Sequence, residues 1–395
     1  MTVEIKKLDA LLGKYMEPNE NIKTTNYTTL TEFGDNYGSI MLKLDVVIEN
    51  KTKKEEKTLN LVAKILPGTE LFRKVFNVQK TFSNEFAFYD KVIPTLEVFQ
   101  KEIGVETFDL FPICYGTRKN LLGNGNDTID DDAVLLMENL KTQGYVNVNR
   151  KTGFNFQTTK LLLTDLARFH GGFLSLKLSK PDLFQKNVQP YCHDFVPIED
   201  TVKMQVIFRD IFEEICKENK NYSSYISKFG YWGDKPRPKP REPFSTVIHT
   251  DLWVNNMMHL FKDDVAVKNK IVDFQSYTYG SPVADIFFFL WTSVQKDVLE
   301  QHLDMLLEFY HKELVQVLRN HKCYVDFSYK QFLDEIGIES DYGFSHAMAF
   351  LMMLNIDEKQ DEEYDAKAIT RKLSASFKEK IYFMLTECDK RHWIP

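Results

Sequence analysis

Residues 246–282 constrain the fold most, because this segment places two carboxylates and an amide among short apolar runs. His249, Asp251 and Asn256 form an H-x-D-x4-N pattern, and Asp273 lies further along in the sequence IVDFQ. The runs TVI and NKIVDF predict two short strands, with LFKDDVAVKNK as a hairpin-like excursion between them. Such strands would place Asn256 and Asp273 side by side.

These residue types suit the chemistry of a metal-bound phosphate. Amide and carboxylate oxygens are hard ligands, which Mg²⁺ takes together with phosphate oxygens and water. Asp251 can then face a hydroxyl on the other side of the metal–phosphate group. Phosphoryl transfer needs this arrangement because it depends mostly on positioning and on neutralising charge. Asp and Asn also favour turns for local hydrogen-bonding reasons, so the hypothesis depends on finding further parts of the site upstream.

Length and composition restrict the classes of protein to which the chain can belong. Its 395 residues suffice for two or three typical domains or for one two-lobed enzyme. A hydrophobic content of 43% supplies a large core, which excludes a disordered chain. The net charge of −7 comes with Lys and Arg spread along the sequence, whereas a nucleic-acid binder usually concentrates a basic face. We therefore expect no nucleic-acid partner, and no obligate protein partner is evident.

No segment is typical of a membrane or secreted protein. The N-terminal MTVEIKKLDALLGKYM lacks the long apolar run of a signal peptide. The most apolar run, IFFFLWTSV at 286–294, is far below the ~18–20 residues of a membrane span and predicts a buried helix. The five cysteines are odd in number and widely separated, which favours free thiols in a reducing compartment. We expect a cytoplasmic protein without a membrane partner.

A lysine inside an apolar strand is the first upstream feature of interest. In residues 39–48, alternate positions from Ile40 to Ile48 are apolar and share one face, with Lys43 and Asp45 on the other, which predicts a half-buried strand. The charged segment ENKTKKEEK predicts a hairpin turn, followed by a second strand at 58–66 that contains Lys64. A buried lysine is costly unless its ammonium has partners. Val62 lies on the same face as Lys64, so an adenine against Val62 and phosphates beside Lys64 would use both.

Two further elements accompany this hairpin. Gly34 and Gly38, in GDNYGS, would let backbone N–H groups approach phosphates, although an ordinary turn explains them equally well. The pattern of residues 72–93 predicts a helix that ends at Pro94 and carries Glu85 among aromatic residues. Glu85 is either a solvated helix residue or the ion-pair partner of Lys64, which would direct the lysine toward phosphate.

Strands predicted at 110–117 and 133–137 complete an N-terminal sheet. The linker that follows begins at Glu138 and includes Leu140, and its backbone groups could pair with an adenine edge. We place the domain boundary there, with a nucleotide-binding lobe at 1–140 and a catalytic and substrate-binding lobe at 141–395. An opening helix is also predicted at 3–15.

The second lobe is mostly helical by pattern. Residues 158–176 show a core stripe, beside which His170 is interpreted as a satisfied core histidine. The segment DKPRPKPREP at 234–243 predicts an exposed loop before the catalytic segment. Asp285 opens the apolar helix, and either caps it or, as we prefer, holds the catalytic loop by backbone hydrogen bonds.

The amino-acid sequences of several segments resemble the motifs of one family. HTDLWVNNMM, IVDFQ, YGSPVADIFFFL and LARFH are similar to the ecdysteroid kinase-like (CHK-like) family of arthropods, whose members typically read HGDLWxNN, VDFQ and GSPxxDL. The resemblance extends over roughly residues 30 to 380. It implies the choline kinase and aminoglycoside phosphotransferase branch of the protein-kinase-like fold, an α+β bilobal architecture with an N-terminal antiparallel sheet plus helix and a larger, mostly helical C-terminal lobe.

The resemblance also implies roles for residues at matching positions. Asp251, together with His249 of the same pattern, would be catalytic and would accept or orient the substrate hydroxyl. Asn256 and Asp273 would hold Mg²⁺, and Lys64 paired with Glu85 would hold the phosphates of ATP. One departure is visible, because Thr250 stands where the family usually has glycine and a β-branched residue disfavours a positive φ.

The resulting hypothesis is an ATP- and Mg²⁺-dependent kinase that phosphorylates a hydroxyl of an ecdysteroid or a similar apolar small molecule, in hormone inactivation or detoxification. The first alternative is a kinase of choline-like or aminoglycoside-like cations, for which acidic residues such as Asp200, Glu213 and Glu214 would line the pocket. The second alternative is a pseudokinase-like protein that binds a ligand without catalysis. Only Thr250 favours this second alternative.

Overall fold

The computed structural model describes residues 4–30, 38–122, 127–193, 201–226, 236–355 and 366–394. It divides the chain into two compact units, which we call the sheet unit and the helical unit. The sheet unit comprises Met1–Asn147, Asp182–His193 and Met258–Tyr277, and the helical unit comprises Val148–Pro181, Asp194–Met257 and Thr278–Pro395. Two residues of the predictions above, Gly34 and Asp200, lie outside the described residues.

The sheet unit contains a five-stranded antiparallel sheet in the order β1-β2-β3-β5-β4. This sheet, with helices beside it and a mostly helical remainder of the chain, confirms the predicted α+β class. The strands are β1 (Glu20–Thr29), β2 (Ile40–Asn50), β3 (Glu55–Ile65), β4 (Cys114–Arg118) and β5 (Val134–Glu138).

The hairpin of β2 and β3 follows the predicted alternation. Leu42, Leu44, Val46 and Ile48 are all buried and form a core with the short helix α1 (Leu8–Leu12). The opening helix is shorter than predicted: α1 ends at Leu12 and a 3₁₀ turn follows at Gly13–Tyr15, although Ile5 before the helix also packs into this core. No prediction was made for β1, whose side chains are mostly exposed and which is held by its backbone pairing with β2.

The predicted end of a helix at Pro94 is wrong. After α2 (Glu70–Val75) and α3 (Val78–Ala87), a π-helical turn at Phe88–Val92 leads directly into α4 (Ile93–Ile103). Pro94 lies in the first turn of α4, where its missing N–H has no helical acceptor to lose. The apolar pattern therefore continues beyond the proline.

A second hairpin in the sheet unit carries the IVDFQ segment. It pairs β7 (Met257–Lys262) with β8 (Val265–Ile271). The segment predicted as a hairpin-like excursion is therefore itself most of a hairpin, and the predicted strand TVI pairs with another strand, Thr278–Gly280. Asp263 and Asp264 form the turn of the β7–β8 hairpin, both with positive φ angles of 50° and 59°. Consecutive residues of this kind build the turn that matches the twist of two antiparallel strands.

The helical unit is built around two buried helices. Every residue from Ile286 to Ser293 of α8 is buried, as its apolar sequence predicts, and α8 packs against α10. Helix α5 packs against α9 and buries the predicted stripe. A small sheet pairs β6 (Thr246–Ile248) with β9 (Thr278–Gly280). Among the described residues, the α-helices of this unit are α5 (Phe156–Ser179), α7 (Thr201–Glu218), α8 (Pro282–Ser293), α9 (Lys296–Asn320), α10 (Tyr329–Asn355), α11 (Ala366–Lys372) and α12 (Ala375–Lys390). Helix α6 (Pro181–Asn187) lies almost wholly in the sheet unit. None of the helices in the described ranges is both long enough and apolar enough to cross a membrane.

The contact of α5 with α9 depends on a glycine. A Cβ atom on Gly171 would lie 2.8 Å from Cγ1 of Val317. We expect Gly171→Ala to lower the free energy of unfolding by about 1–3 kcal/mol through overpacking, measured by urea denaturation. Gly337→Ala is the matched control, because nothing lies within 4 Å of the added methyl group in α10 and alanine favours a helix. Equal effects of the two substitutions would contradict this account of the helix contact.

Candidate functional site

The sheet unit holds a buried cluster of one lysine and two carboxylates. Lys64 Nζ lies 2.6 Å from Glu85 Oε2 and 2.7 Å from Asp273 Oδ1. Lys64 is 2% exposed and Glu85 is 1% exposed. The predicted ion pair of Lys64 with Glu85 is therefore present, and Asp273 is a second partner that sequence reasoning did not assign to the lysine.

The charges of this cluster are mutually dependent. Burial alone would lower the pKa of Lys64, but the charges of Asp273 and Glu85 raise it above its ordinary value. Burial raises the pKa of Glu85, and the nearby negative charge of Asp273 adds to this effect while Lys64 opposes it. The lysine is thus firmly protonated. With two acids around one base, the cluster also has capacity for a further cation.

Aromatic packing fixes the position of Asp273. Its neighbour Phe274 stacks on Phe88 with the ring centroids 3.7 Å apart and the planes 10° from parallel. Phe111 and Tyr89 meet Phe274 edge-on. Asp273 has a φ of 69°, a conformation that non-glycine residues adopt only when their surroundings impose it. The buried ring next to it supplies this constraint.

Gly38 and Gln275 bring the glycine turn and the IVDFQ segment together within the sheet unit. A Cβ atom on Gly38 would lie 3.3 Å from Phe76 Cδ1 and 3.7 Å from Gln275 Oε1. Gln275 Oε1 is buried and has no hydrogen-bond partner among the described residues. A buried acceptor of this kind calls for a donor, such as a water molecule. Sequence reasoning gave Gln275 no role, since its place beside Gly38 is visible only in the fold.

The predicted adenine linker follows β5. The Glu138 carboxylate accepts hydrogen bonds from Ile113 N at 2.9 Å and Gln143 Nε2 at 2.5 Å, so this side chain holds the linker in place. Leu140 is buried and opens a 3₁₀ turn. Val62 and Lys64 pair with Lys43 and Met41 of β2, two residues apart on the same strand face, as predicted. The roles of these residues toward adenine remain predictions.

The helical unit holds the remaining predicted residues. Asn256 Nδ2 donates to Asp251 Oδ2 at 2.9 Å and to the Asp251 carbonyl oxygen at 2.8 Å. Because the amide nitrogen makes both bonds, the Asn256 oxygen points away from Asp251. The Asp251 N–H donates to Nδ1 of the buried His249 at 3.3 Å, which assigns the imidazole proton to Nε2. His249 therefore shapes the loop that carries Asp251.

Asp285 organises the backbone of this loop. Its carboxylate accepts hydrogen bonds from His249 N at 2.6 Å and Thr250 N at 2.8 Å, which confirms the preferred prediction for this residue. The ring of His170 lies between Asp285 Oδ2, at 3.1 Å, and Tyr310 Oη, at 2.7 Å. His170 is thus a satisfied core histidine, as predicted, and it also holds the carboxylate that holds the loop.

The pKa of Asp285 reflects these contacts. Burial alone would raise it, but the hydrogen bond and charge interaction with His170, together with the contacts to His249, hold the pKa below its ordinary value. The carboxyl group therefore remains ionised well into the acid range. Its negative charge strengthens the hydrogen bonds that it accepts from the backbone N–H groups of the loop.

Thr250 has a backbone conformation that is typical of glycine. Its φ is 70°, in the left-handed region that β-branched residues disfavour. The position at which the family usually has glycine therefore has a positive φ in this chain. The two N–H bonds to Asp285 impose the conformation.

The acids proposed for a cationic acceptor are paired in the described part of α7. Lys217 Nζ lies 2.8 Å from Glu214 and 3.6 Å from Glu213, which also lies 3.8 Å from Arg209. These pairs are typical of a solvated helix face. They leave little unbalanced negative charge for a cationic substrate.

The oxygen ligands of the predicted magnesium site suit the ion. Asp273 offers a carboxylate whose side chain is 19% exposed, and Asn256 offers the amide oxygen that faces away from Asp251. Within the described ranges no group of three or more His, Cys, Asp or Glu residues could hold a metal ion. Two protein ligands completed by phosphate oxygens and water are the usual arrangement for Mg²⁺. Asn256 and Asp273 belong to different units, and their joint binding of one ion remains a prediction.

Comparison with known proteins identifies the family. The sequence profile of the ecdysteroid kinase-like family matches residues 33–323. The match covers most of the chain, so the protein belongs to the ecdysteroid kinase-like family. A comparison with curated proteins finds no match.

Several solved structures are similar at low sequence identity. The GDP complex of a mutant aminoglycoside 2'-phosphotransferase-IIIa has 10% identity and a TM-score of 0.41, with 98% of each chain covered. Amicoumacin kinase hAmiN with AMP-PNP, Ca²⁺ and its ligand has 13% identity and a TM-score of 0.41, covering 90% of this chain and 87% of that one. A choline/ethanolamine kinase family protein from Mesorhizobium loti has 12% identity and a TM-score of 0.38, covering 93% and 91%. The family assignment does not depend on them.

The anchoring role of Asp285 has a signature in the pH dependence of stability. A carboxyl group with a lowered folded pKa stabilises the fold above its unfolded pKa of about 4, and this stabilisation is lost as the pH falls through the folded pKa. We expect Asp285→Asn to lower the free energy of unfolding by about 3 kcal/mol near neutral pH. The difference from the wild type should stay constant from pH 6 to about 5 and should shrink as the pH falls below about 4 to about 2. Urea denaturation across this range measures it, and a difference that stays constant over the whole range would contradict the assignment.

Backbone strain at Thr250 gives a second stability prediction. Glycine accepts φ near 70° without steric penalty. We therefore expect Thr250→Gly to raise the free energy of unfolding by up to about 1 kcal/mol, because the relieved strain exceeds the entropy that glycine adds to the unfolded chain. Thr28→Gly is the control at an exposed strand position, and it should destabilise. If both variants lose stability equally, Thr250 is not strained.

Proposed function

We propose that this member of the ecdysteroid kinase-like family transfers the terminal phosphoryl group of ATP to a hydroxyl of an ecdysteroid or a similar apolar alcohol. The observation that carries the proposal is the buried cluster of Lys64 with Glu85 and Asp273. Burying a lysine with two acids destabilises a fold more than an apolar core would, and such a cluster is expected where the charges serve a substrate.

In this proposal the sheet unit binds the nucleotide. The ammonium of Lys64, oriented by Glu85, binds phosphate oxygens of ATP, while Val62 and the linker at Glu138 and Leu140 contact the adenine. Backbone N–H groups of the turn that contains Gly38 would approach the phosphates, while Phe76 and Gln275 pack on the side where Gly38 has no Cβ. Asn256 and Asp273 would hold Mg²⁺, which when bound neutralises the charge that develops on the phosphate oxygens.

The helical unit acts on the acceptor. Asp251 accepts a hydrogen bond from the acceptor hydroxyl and takes its proton as the oxygen–phosphorus bond forms and the bond to ADP breaks. Asn256 holds the Asp251 carboxylate through its amide nitrogen, and His249 holds the backbone of the loop. Asp285 holds the same loop by accepting hydrogen bonds from the backbone N–H groups of His249 and Thr250.

The apolar alcohol is the finer part of the proposal. Support comes from the family assignment and from the internal pairing of Glu213 and Glu214, which disfavours a cationic acceptor. Magnesium as the metal, detoxification or hormone inactivation as the physiological role, and a cytoplasmic location remain predictions of the same kind.

The proposal is tested by phosphoryl transfer from labelled ATP with Mg²⁺ to a panel of ecdysteroids, plant sterols, phenols, choline and aminoglycosides. We expect transfer to a steroid or similar alcohol. Asp251→Asn should slow it about 10²–10⁴-fold, because a positioned base contributes that much. Nucleotide binding, measured by calorimetry, should remain close to that of the wild type. Asp273→Ala should abolish transfer.

Asp263→Asn is the matched control for Asp251→Asn. Asp263 is exposed in the β7–β8 turn with a φ of 50°, which asparagine also tolerates, so transfer should be unchanged. Full turnover by Asp251→Asn would refute the role of Asp251. Transfer to choline or an aminoglycoside alone would overturn the acceptor class, and neither transfer nor nucleotide binding would favour a non-catalytic ligand binder.

A further inference from the structure

One face of α10 carries a row of partly exposed aromatic side chains. Tyr342, His346 and Phe350 lie four residues apart and are each only partly covered, so they follow one another along the helix surface. The His346 ring stacks on the buried Phe288, with centroids 4.5 Å apart and planes 19° from parallel. Phe350 meets Phe288 at 5.0 Å. We call these three residues of α10, with Trp253, the aromatic row.

The aromatic row reaches the loop that carries Asp251. Trp253 is two residues from Asp251 in sequence, and its ring contacts Phe350 edge-on with centroids 5.0 Å apart. Trp253 is itself partly exposed. An acceptor ring lying on this row would therefore end beside the residue that we propose to take its proton.

A small cavity opens between the row and the loop. It is lined by Tyr342, His346, Phe288, Thr250 and Asp285, among others, and has a volume of about 10 Å³. This is room for about one water molecule, or for a single hydroxyl or carbonyl oxygen. It is too small for a ring, which would have to lie on the aromatic row outside it.

His346 is the polar group of the row that is suited to binding such an oxygen. Its ring contacts Phe288 and Tyr342, and no hydrogen bond to its nitrogens occurs within the described part of the chain. Burial, together with the positive charge of Arg237, lowers the pKa of His346 to about 4. The imidazole is therefore neutral under physiological conditions, with one N–H donor and one acceptor nitrogen.

From this geometry we propose that the aromatic row is the acceptor-binding surface and that His346 anchors a second oxygen of the acceptor. The inference rests on the proposed function and extends it to substrate class. The acceptor has an apolar ring system that lies on Trp253 and Phe350. It carries a hydroxyl or carbonyl, distinct from the reacting hydroxyl, that hydrogen-bonds His346 in the cavity. His346 is a specificity-determining residue, since it touches the acceptor away from the reacting atoms.

A purely structural role explains the row less well. Large apolar side chains that only fill a core are buried, as Phe288 is at 2% exposure, whereas the residues on top of it stay partly exposed. Aromatic side chains beside a few polar groups are typical of the lining of a small-molecule site. The neutral imidazole and the guanidinium of Arg237, which also lines the cavity, suit a bound molecule with both an apolar body and a polar oxygen.

The test compares His346→Phe with His302→Phe. His302 lies on α9, is also partly exposed, and has its ring centroid 4.6 Å from that of Phe156. His302→Phe is therefore the same substitution, in a similar environment, at another position of the helical unit. Binding of 20-hydroxyecdysone and of cholesterol, which has one hydroxyl and no further oxygen, is measured by calorimetry without nucleotide. ATP binding and thermal unfolding are measured for every variant.

We expect His346→Phe to weaken binding of 20-hydroxyecdysone at least tenfold, while His302→Phe changes it less than twofold. His346→Gln, which restores a donor and an acceptor, should recover part of the loss. In turnover with the best acceptor of the panel, His346→Phe should raise KM and leave kcat within about threefold, because the anchor binds ground state and transition state alike.

Three results would overturn the inference: wild-type protein that binds neither ring compound, equal effects of His346→Phe and His302→Phe, or a loss confined to kcat. Failure of the proposed function is separate, because it would show as absent phosphoryl transfer or absent ATP binding in the wild type. Binding of the ring compounds that depends on His346 would still support the aromatic row in that case.

Discussion

The ion cluster of Lys64 with Glu85 and Asp273 is the interaction on which the sheet unit depends. The cluster joins one buried cation to two carboxylates, and burial, with the negative charge of Asp273 adding to it, raises the pKa of Glu85. Such a cluster is stable only if its geometry is fixed from several sides. The sheet fixes the lysine, α3 fixes the glutamate, and the aromatic packing of Phe274 fixes the aspartate. In the proposed function, a metal–nucleotide complex would bring a cation that balances the second carboxylate.

In the helical unit, a buried carboxylate, that of Asp285, fixes the backbone of a loop. Asp285 is fully buried and its oxygens are used by two backbone N–H groups and by His170. It therefore has no capacity for proton transfer, although it lies close in sequence to a functional pattern. Asp251 is less buried, is held by an amide nitrogen, and belongs to the loop that Asp285 shapes. Burial and hydrogen bonding thus distinguish the structural acid Asp285 from Asp251, the acid that we propose to be catalytic.

The sequence predicted those features that local patterns determine. Strand β2 was predictable because one face is buried, and the partner of Lys64 was predictable because a lysine in an apolar strand needs one. Strand β1 was not, since its pairing is made by the backbone and its side chains are exposed. Pro94 misled because proline is compatible with the first turn of a helix. The contact of Gln275 with Gly38 and the aromatic row around His346 join distant segments, for which no local signal exists.

Thr250 shows how the fold outweighs a local preference. A β-branched residue with φ near 70° costs about 1–3 kcal/mol. Each hydrogen bond from a backbone N–H to the buried carboxylate of Asp285 contributes about 1.5–3 kcal/mol, and the loop makes two of them. The bonds therefore outweigh the strain, and the loop keeps its shape with threonine in place of glycine. We expect threonine at position 250 to lower the stability of the fold while leaving the geometry of the loop intact. Thr250 therefore gives no support to the alternative of a protein that binds ligands without catalysis.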